Sequence, residues 1–232
     1  MAPFLSVAWP AAASLVVRSG VGYSSGAGAG ESHTHTLHAS AAVGDLLLMF
    51  AGCDSSTGMN ITFSPADVTQ GTRIGTFRGS AWIYTYAIDA GDVSTGSVTW
   101  DIEAVGGTNE PWRLLSMEVV GATLTGFPVQ SATDLTTSNR TSAPAVSLSG
   151  VGVGNLVWAV VVNTPDTGNT LTITDLSGFT STGDPVTGGA GEVQIWVGYL
   201  ISGAGGSITG PSYALDGAGQ VIQHGIFEVA KA

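Results

Sequence analysis

Short runs of β-forming residues recur along this chain of 232 residues, and they constrain its fold more than any other feature. Gly, Ser, Thr, Asn and Asp separate the runs, whereas Glu, Lys, Arg and Gln are too rare to build amphipathic helices. Many short strands at this spacing predict an all-β sandwich or barrel. The clearest runs are residues 45–51 (DLLLMFA), 60–63, 82–88 (WIYTYAI), 97–103 (SVTWDIE), 114–120, 156–162 (LVWAVVV), 170–174, 193–201 and 221–229.

The polarity of three runs predicts where their strands lie. Residues 97–103 alternate between apolar and polar side chains, which predicts a half-buried strand with an acidic outer face. Its inward side chains would be Val98, Trp100 and Ile102, and its outward ones Thr99, Asp101 and Glu103. The runs LLLMF and LVWAVVV are apolar on both faces, so we expect central strands that are covered on both sides.

Similar segments recur 110 positions apart. Residues 43–46 (VGDL), 97–99 (SVT) and 118–119 (EV) are matched by residues 153–156 (VGNL), 207–209 (SIT) and 228–229 (EV). A fixed offset is the signature of an internal repeat. We therefore expect a jelly-roll-like antiparallel β-sandwich built from two similar halves, in which Asp45 corresponds to Asn155 and Glu118 to Glu228.

The sequence divides into three predicted parts. Residues 1–30 form an apolar and Gly/Ser-rich N-terminal arm, residues 31–125 form the first β half, and residues 126–232 form the second. Because no Pro-rich or charged linker joins the halves, we expect them to pack as one unit. Residues 121–145 are rich in Thr and Ser and suit the long crossing that Greek-key and jelly-roll sandwiches need.

The N-terminal arm is too apolar to stay in water. Pro3, Pro10 and the glycines of residues 20–30 argue against a central strand, and the segment has no basic stretch of the kind that opens a secretory signal. We expect residues 1–17 to lie against another subunit or a host protein, and not only on their own sandwich. The predicted assembly residues are Phe4, Leu5, Val7, Trp9, Leu15, Val16 and Val17.

Charge and cysteine content exclude several partners. The formal net charge is −11, from 17 acidic and 6 basic residues, and such a surface repels nucleic acid and anionic membranes. No apolar run reaches the length of about 18 residues that a membrane-spanning helix needs, so we expect no membrane insertion. Cys53 is the single cysteine, which excludes an intrachain disulfide framework and a cysteine-based zinc site.

Residues 33–50 (HTHTLHASAAVGDLLLMF) combine a small-polar strand, an Ala-rich turn and Gly-Asp-Leu-Leu-Leu. This opening resembles that of β-sandwich virion proteins of tailed bacteriophages, and residues 82–102 and 114–122 resemble the next strands of that pattern. The chain departs from it at Ala66-Asp67-Val68-Thr69, where Gly-Trp-Thr would be expected.

The resemblance implies a non-enzymatic virion protein of the capsid decoration, head fibre or tail accessory type. Such a protein is assembled in the bacterial cytoplasm and binds copies of itself, in a trimer for example, and other virion proteins such as the capsid. No catalytic residue and no cofactor come with the resemblance.

His33 and His35 form a His-x-His pair, which is a candidate metal-ligand pattern. Side chains at i and i+2 of a strand share a face, and in a trimer three such pairs would offer six imidazoles to an octahedral transition metal. The simpler interpretation is that both are exposed polar residues on an edge strand.

Other residues suggest glycan chemistry. Trp112, next to Pro111 in a predicted loop, is the candidate for stacking on a sugar, and a carbohydrate-binding jelly-roll module for host or surface glycans is the alternative function. Asp101 and Glu103 could form a glycosidase pair, but every amphipathic strand exposes such carboxylates. The sequence has no P-loop and no acid/base constellation that stands out, so we expect no enzyme.

Overall fold

A computed structural model describes residues 14–27, 31–53, 60–74, 80–105, 111–124, 127–135, 140–164, 170–182, 193–216 and 221–232. These residues form antiparallel strands and one short helix, α1 (Ala90–Thr95). The strands are β1 (Val16–Ala27), β2 (Glu31–Thr36), β3 (Leu46–Cys53), β4 (Asn60–Ser64), β5 (Thr69–Ile74), β6 (Ser80–Ala87), β7 (Ser97–Val105), β8 (Pro111–Val120), β9 (Ala122–Thr123), β10 (Ser131–Asp134), β11 (Ser142–Ala143), β12 (Ser147–Val151), β13 (Leu156–Thr164), β14 (Leu171–Asp175), β15 (Thr180–Ser181), β16 (Gln194–Ile201), β17 (Gly206–Thr209), β18 (Ser212–Leu215) and β19 (Val221–Lys231).

The first half is a sandwich of two sheets. Its main sheet has the order β1-β8-β3-β6-β5, and the facing sheet has the order β2-β7-β4. Each strand of the facing sheet is preceded and followed in the sequence by strands of the main sheet. The chain therefore passes back and forth between the two sheets, as in a jelly roll. The predicted all-β antiparallel sandwich is confirmed.

The second half follows the same order. Its main sheet is β10-β19-β13-β16-β15, and β11-β18-β14 and β12-β17 form the facing layer. The pairing register of the central strands also matches, because Leu46 pairs with Val119 and Leu156 pairs with Val229. Each partner in the second pair lies 110 positions after its counterpart. Descent of the two halves from an internal repeat stays a prediction.

The two main sheets pack face to face, so the described residues form four layers and three cores. The central core joins the halves through Leu48, Phe50, Ile83, Met117, Val119, Trp158, Val160, Val162, Ile195 and Phe227. One outer core fills each half, between its main sheet and its facing layer. Both faces of β3 and β13 are therefore covered, which explains why these strands are apolar at nearly every position.

Helix α1 lies between the predicted runs 82–88 and 97–103, in a chain whose few strong helix formers predicted no amphipathic helix. Asp89 accepts a hydrogen bond from the backbone of Asp92, whose side chain in turn accepts one from the backbone of Asp89. This capping box starts the helix, and Gly96 ends it in the left-handed region at φ 73°. Within the ranges given above, no helix is long and apolar enough to cross a membrane.

The N-terminal boundary differs from the one expected at residue 30. Strand β1 pairs with β8 from Val16 to Ala27 and forms the edge of the first main sheet. Leu15 is buried in the central core and Val17 packs against it, so both belong to their own sandwich and not to an arm. The edge position and a register shift between Arg18 and Gly22 explain why a glycine-rich segment can be a strand here. Phe4, Leu5, Val7 and Trp9 lie outside the described residues.

Candidate functional site

The polar residues of the first half meet inside its sandwich. His33 and His35 of β2 point to one face, as the sequence indicated, but that face is buried, with 0% and 1% exposure. Ser116 of β8 lies between the rings, with its Oγ 2.9 Å from His33 Nε2 and 2.7 Å from His35 Nδ1. The His33 ring also stacks on Trp100. The expectation that these histidines are exposed is therefore wrong, although β2 is an edge strand.

Burial decides the protonation of both rings. Burial, and to a smaller extent the neighbouring His35, lowers the pKa of His33 to about 4. Burial also lowers the pKa of His35, against the opposing effect of the Glu118 carboxylate. Both imidazoles are thus neutral at pH 7 and share one hydroxyl group as hydrogen-bond partner.

This histidine–serine cluster has no open face for chemistry. All three side chains are sealed from solvent, so a substrate cannot reach the Ser116 hydroxyl in this structure. For the same reason the rings cannot meet those of other subunits around an axis, as the trimeric metal site requires. The described part of the chain contains no group of three or more His, Cys, Asp or Glu side chains that could hold a metal ion.

Arg18 fixes β1 to the rest of the first half. Its Nη1 donates to Asp45 Oδ2 at 3.0 Å and to Glu118 Oε1 at 2.5 Å. Glu118 is 1% exposed, and its second oxygen accepts a hydrogen bond from the backbone of His38. Asp45 accepts another from the backbone of Ala42. One guanidinium therefore joins the edge strand to the turn before β3 and to the end of β8.

The second half has a related arrangement without the arginine. Glu228 accepts hydrogen bonds from the Gly152 backbone (2.8 Å), from Asn155 Nδ2 (2.6 Å) and from Gln130 Nε2 (2.5 Å). Burial raises the pKa of Glu228, but these three hydrogen bonds outweigh it and the net pKa is lowered. The carboxylate therefore stays ionised at neutral pH, held by amides rather than by an opposite charge.

Trp112 is not in a loop and not exposed. It is the second residue of β8, where Pro at the first strand position is tolerated, and its side chain is fully buried in the outer core of the first half. An indole in this position cannot stack on a sugar. Asp101 is exposed on β7, as expected, and the side chain of Glu103 lies outside the described residues.

An open cleft lies beside β5 and β6. Its cavity of about 290 Å³ is lined by Asp67, Thr69, Thr85, Tyr86, Ala87, Asp89 and Leu124. Two of its groups are held in place, since Trp100 Nε1 donates to Asp67 Oδ1 at 2.9 Å and the Tyr86 hydroxyl donates to Asp92 at 2.6 Å. The cleft offers carboxylate and hydroxyl groups to a polar ligand.

The sequence singled out Asp45 and Asn155 as one pair of corresponding positions and Glu118 and Glu228 as another. It gave no role to Arg18 or Ser116. A signal was present, because Ser116 and Glu118 interrupt the apolar run LLSMEVV and a buried polar group needs a partner. Comparisons with protein-family models, with curated proteins and with solved structures found no match to this chain.

Proposed function

We propose that this chain is a non-enzymatic structural protein of a tailed-phage virion. It acts on the outside of the particle as a capsid decoration protein or as a fibre or tail accessory protein. Its partners are copies of itself and other virion proteins such as the capsid, and it is assembled in the cytoplasm of the bacterial host.

One observation carries the proposal: the apolar residues 1–13, to which the name arm applies from here on, are joined by Ser14 and Leu15 to a strand that is anchored in the fold. Leu15 is buried in the central core and Arg18 is ion-paired to Asp45 and Glu118, so the starting point of the arm is fixed. Burial of a large apolar side chain such as Phe4 or Trp9 contributes about 1.5–3 kcal/mol. An arm with several such residues, attached at a fixed point of the fold, is suited to bind the protein to a neighbouring molecule.

The interior polar groups support a structural role as well. Ser116 is bonded to His33 and His35, and Glu118 is bonded to Arg18, so these potential catalytic groups are engaged in holding strands together. The resemblance of residues 33–50 to phage virion proteins supports the same function.

Deletion of residues 2–13 tests the proposal. The full chain and the deletion variant would be mixed with phage particles stripped of the protein, and binding would be measured by co-sedimentation. We expect the full chain to bind and the variant to stay in the supernatant with an unchanged β-type circular dichroism spectrum. Leu135→Ser, a substitution of an exposed side chain elsewhere, is the control and should bind. Equal binding by the deletion variant would contradict the proposal.

The second candidate function is carbohydrate binding, and the open cleft is the observation that favours it. Its carboxylates and hydroxyls are groups that hydrogen-bond to sugars, although Trp112 is not available for stacking. A glycan array would test it with Asp67→Asn, which keeps an oxygen for Trp100 Nε1, and with Asp101→Asn on the exposed face of β7 as control. Selective loss of a glycan signal in Asp67→Asn would favour this function.

A further inference from the structure

We infer that one end of the molecule is the docking surface for residues 1–13 of a second copy of this chain. This inference rests on the proposed assembly function and names the partner and the surface. We define the apolar end as six exposed side chains: Val16, Val43, Val93, Val129, Val153 and Ile201.

In the first half, three of these residues lie where β3 begins and β6 and β8 end. Val16 pairs with Val120, the last residue of β8. Val43 lies in the turn before β3, next to Gly44, whose backbone N–H donates to Ile88 just after β6. Val93 is on α1, which starts two residues after Ile88.

In the second half, the other three occupy the corresponding positions. Val129 donates its backbone N–H to the carbonyl of Glu228, near the end of β19. Val153 lies in the turn before β13, and Ile201 pairs with Leu156 at the first position of that strand.

The two sets lie at the same end of the molecule. The ends of β8 and β19 meet there, because the backbone N–H of Ala232 donates to the carbonyl of Gly121 at 2.8 Å. Strand β9, which follows Gly121, also pairs with Ala230 and Lys231 at the end of β19. The turns that precede β3 and β13 therefore both lie beside the place where the ends of β8 and β19 meet.

The exposure of these side chains is concentrated and not scattered. Val43 and Val153, at corresponding turn positions, are 65% and 68% exposed and are the most exposed of the large aliphatic residues described. Single exposed aliphatic residues are ordinary, but a concentration of them at one end marks an interaction surface.

The arm emerges at this end. Ser14, the first described residue, has its carbonyl oxygen 3.1 Å from the point where a Cβ on Gly121 would lie. Leu15 and Val17 already cover the edge of their own core, which leaves the exposed valines to another occupant. The thirteen residues before Ser14 can span at most about 43–47 Å, enough to cross a junction between two molecules.

A second copy fits this geometry because Ser14, where the arm begins, and the exposed side chains of the apolar end lie at the same end of the molecule. When two copies meet end to end, each arm lies beside the apolar end of its partner, and the same contact is made twice. Such a reciprocal contact closes on itself and yields a dimer with two-fold symmetry instead of an open chain.

Photo-cross-linking of the full chain tests the inference. Trp9 would be replaced by p-benzoylphenylalanine in protein of natural isotope content, which is mixed with unsubstituted ¹⁵N-labelled chain, irradiated and analysed by peptide mass spectrometry. We expect cross-links from position 9 to peptides that contain residue 43 or 153 of the labelled chain. Cross-links confined to the unlabelled chain, or to peptides remote from the apolar end, would overturn the inference.

A pair of surface variants provides an independent test. Val43→Glu combined with Val153→Glu should weaken dimerisation at least about tenfold in sedimentation experiments, because it places two charges in an apolar contact. Leu135→Glu changes an exposed aliphatic residue away from the apolar end, since Leu135 follows Asp134, the β10 residue paired with His224, and it should leave dimerisation unchanged. Equal effects of both variants would contradict the docking surface.

The outcomes separate this inference from the proposed function. A full chain that is monomeric, with cross-links only within one molecule, and that nevertheless needs residues 2–13 to bind particles would overturn the second-copy docking alone. A deletion variant that binds particles normally would overturn the proposed function instead.

Discussion

Glu118 and Glu228 occupy the same position in two main sheets but are held by different chemistry. Glu118 pairs with Leu47, the second residue of β3, and Glu228 pairs with Val157, the second residue of β13. The first carboxylate binds the guanidinium of Arg18, whereas the second binds three amide groups. The backbone pattern is shared, and the side-chain partners are specific to each half.

Removal of Arg18 should destabilise the fold. Arg18→Ala leaves Glu118 buried without its cation, and loss of one partner of a buried pair typically costs about 3–5 kcal/mol. The free energy of unfolding, measured in urea, should fall by this amount. Arg18→Lys keeps the charge and should recover part of the loss. If both variants unfold at the parental urea concentration, the ion pair does not stabilise the first half.

Ser116→Ala should also lower stability, by about 1–3 kcal/mol, because two buried imidazole nitrogens lose their shared hydroxyl partner. Ser147→Ala is the matched control, since that hydroxyl bonds Thr209 on the exposed surface and its loss should be nearly neutral. Urea midpoints measured at pH 7 compare the two variants. A larger effect of Ser147→Ala would argue against the buried cluster.

His224 should make the protein sensitive to acid. Burial is the main cause that lowers the pKa of His224 to about 4, while Asp134 opposes it and Arg140 adds to it. In the unfolded chain His224 binds a proton as the pH falls through about 6.5, whereas in the folded chain it stays neutral until about pH 4. The contribution of neutral His224 to the free energy of unfolding is therefore complete above about pH 6.5 and declines towards pH 4.

His224→Leu should reduce that decline. The corresponding residue of the first half, 110 positions earlier, is the buried Leu114, so a leucine suits the position. We expect similar urea midpoints for variant and parent at pH 7, and a higher midpoint for the variant at pH 4.5. Parallel losses of stability in the two proteins would show that His224 does not contribute to the acid response.

Gly52→Ala should loosen the contact between the halves. A Cβ at this position would lie 2.8 Å from Val162 Cγ2 and 3.0 Å from Ile195 Cγ2, both in the other main sheet. Overpacking of this kind costs about 1–3 kcal/mol. Gly203→Ala has open space around the new methyl group and serves as control. A thermal unfolding midpoint that drops only in Gly52→Ala is the expected result.

Periodicity in the sequence predicted which residues share one face of a strand. It predicted less reliably whether that face is buried or exposed. Val98, Trp100 and Ile102 are buried as expected, because their alternation with polar residues marks the inner face of β7. The segment ESHTHT is polar at every position, so alternation places His33 and His35 together but cannot show that they face inward. Only the long-range contact with Ser116, 81 and 83 residues away, determines that.

The limits of the N-terminal and Trp112 predictions have a similar cause. The glycines of residues 20–30 and Pro111 suggested an arm and a loop, yet glycines occur in the edge strand β1 and proline is tolerated at the first position of β8. The helix α1 could have been found from Asp89 and Asp92, which form a capping box, and from Gly96. The apolar run of β3 was decisive, since its length and composition leave only a central strand as a solution.

The two ends of the molecule are unlike, because Ser14 and the exposed valines lie at one of them, and this difference has a practical consequence. Cys53 pairs with Ser80 and with Trp112 at the end remote from Ser14, and Asn163 pairs there with Gln194 in the second half. A foreign peptide inserted between residues 182 and 193 would thus enter the chain just before β16, which begins at that remote end. The fold could therefore serve as a display scaffold whose attachment end and cargo end are separated by the length of its strands.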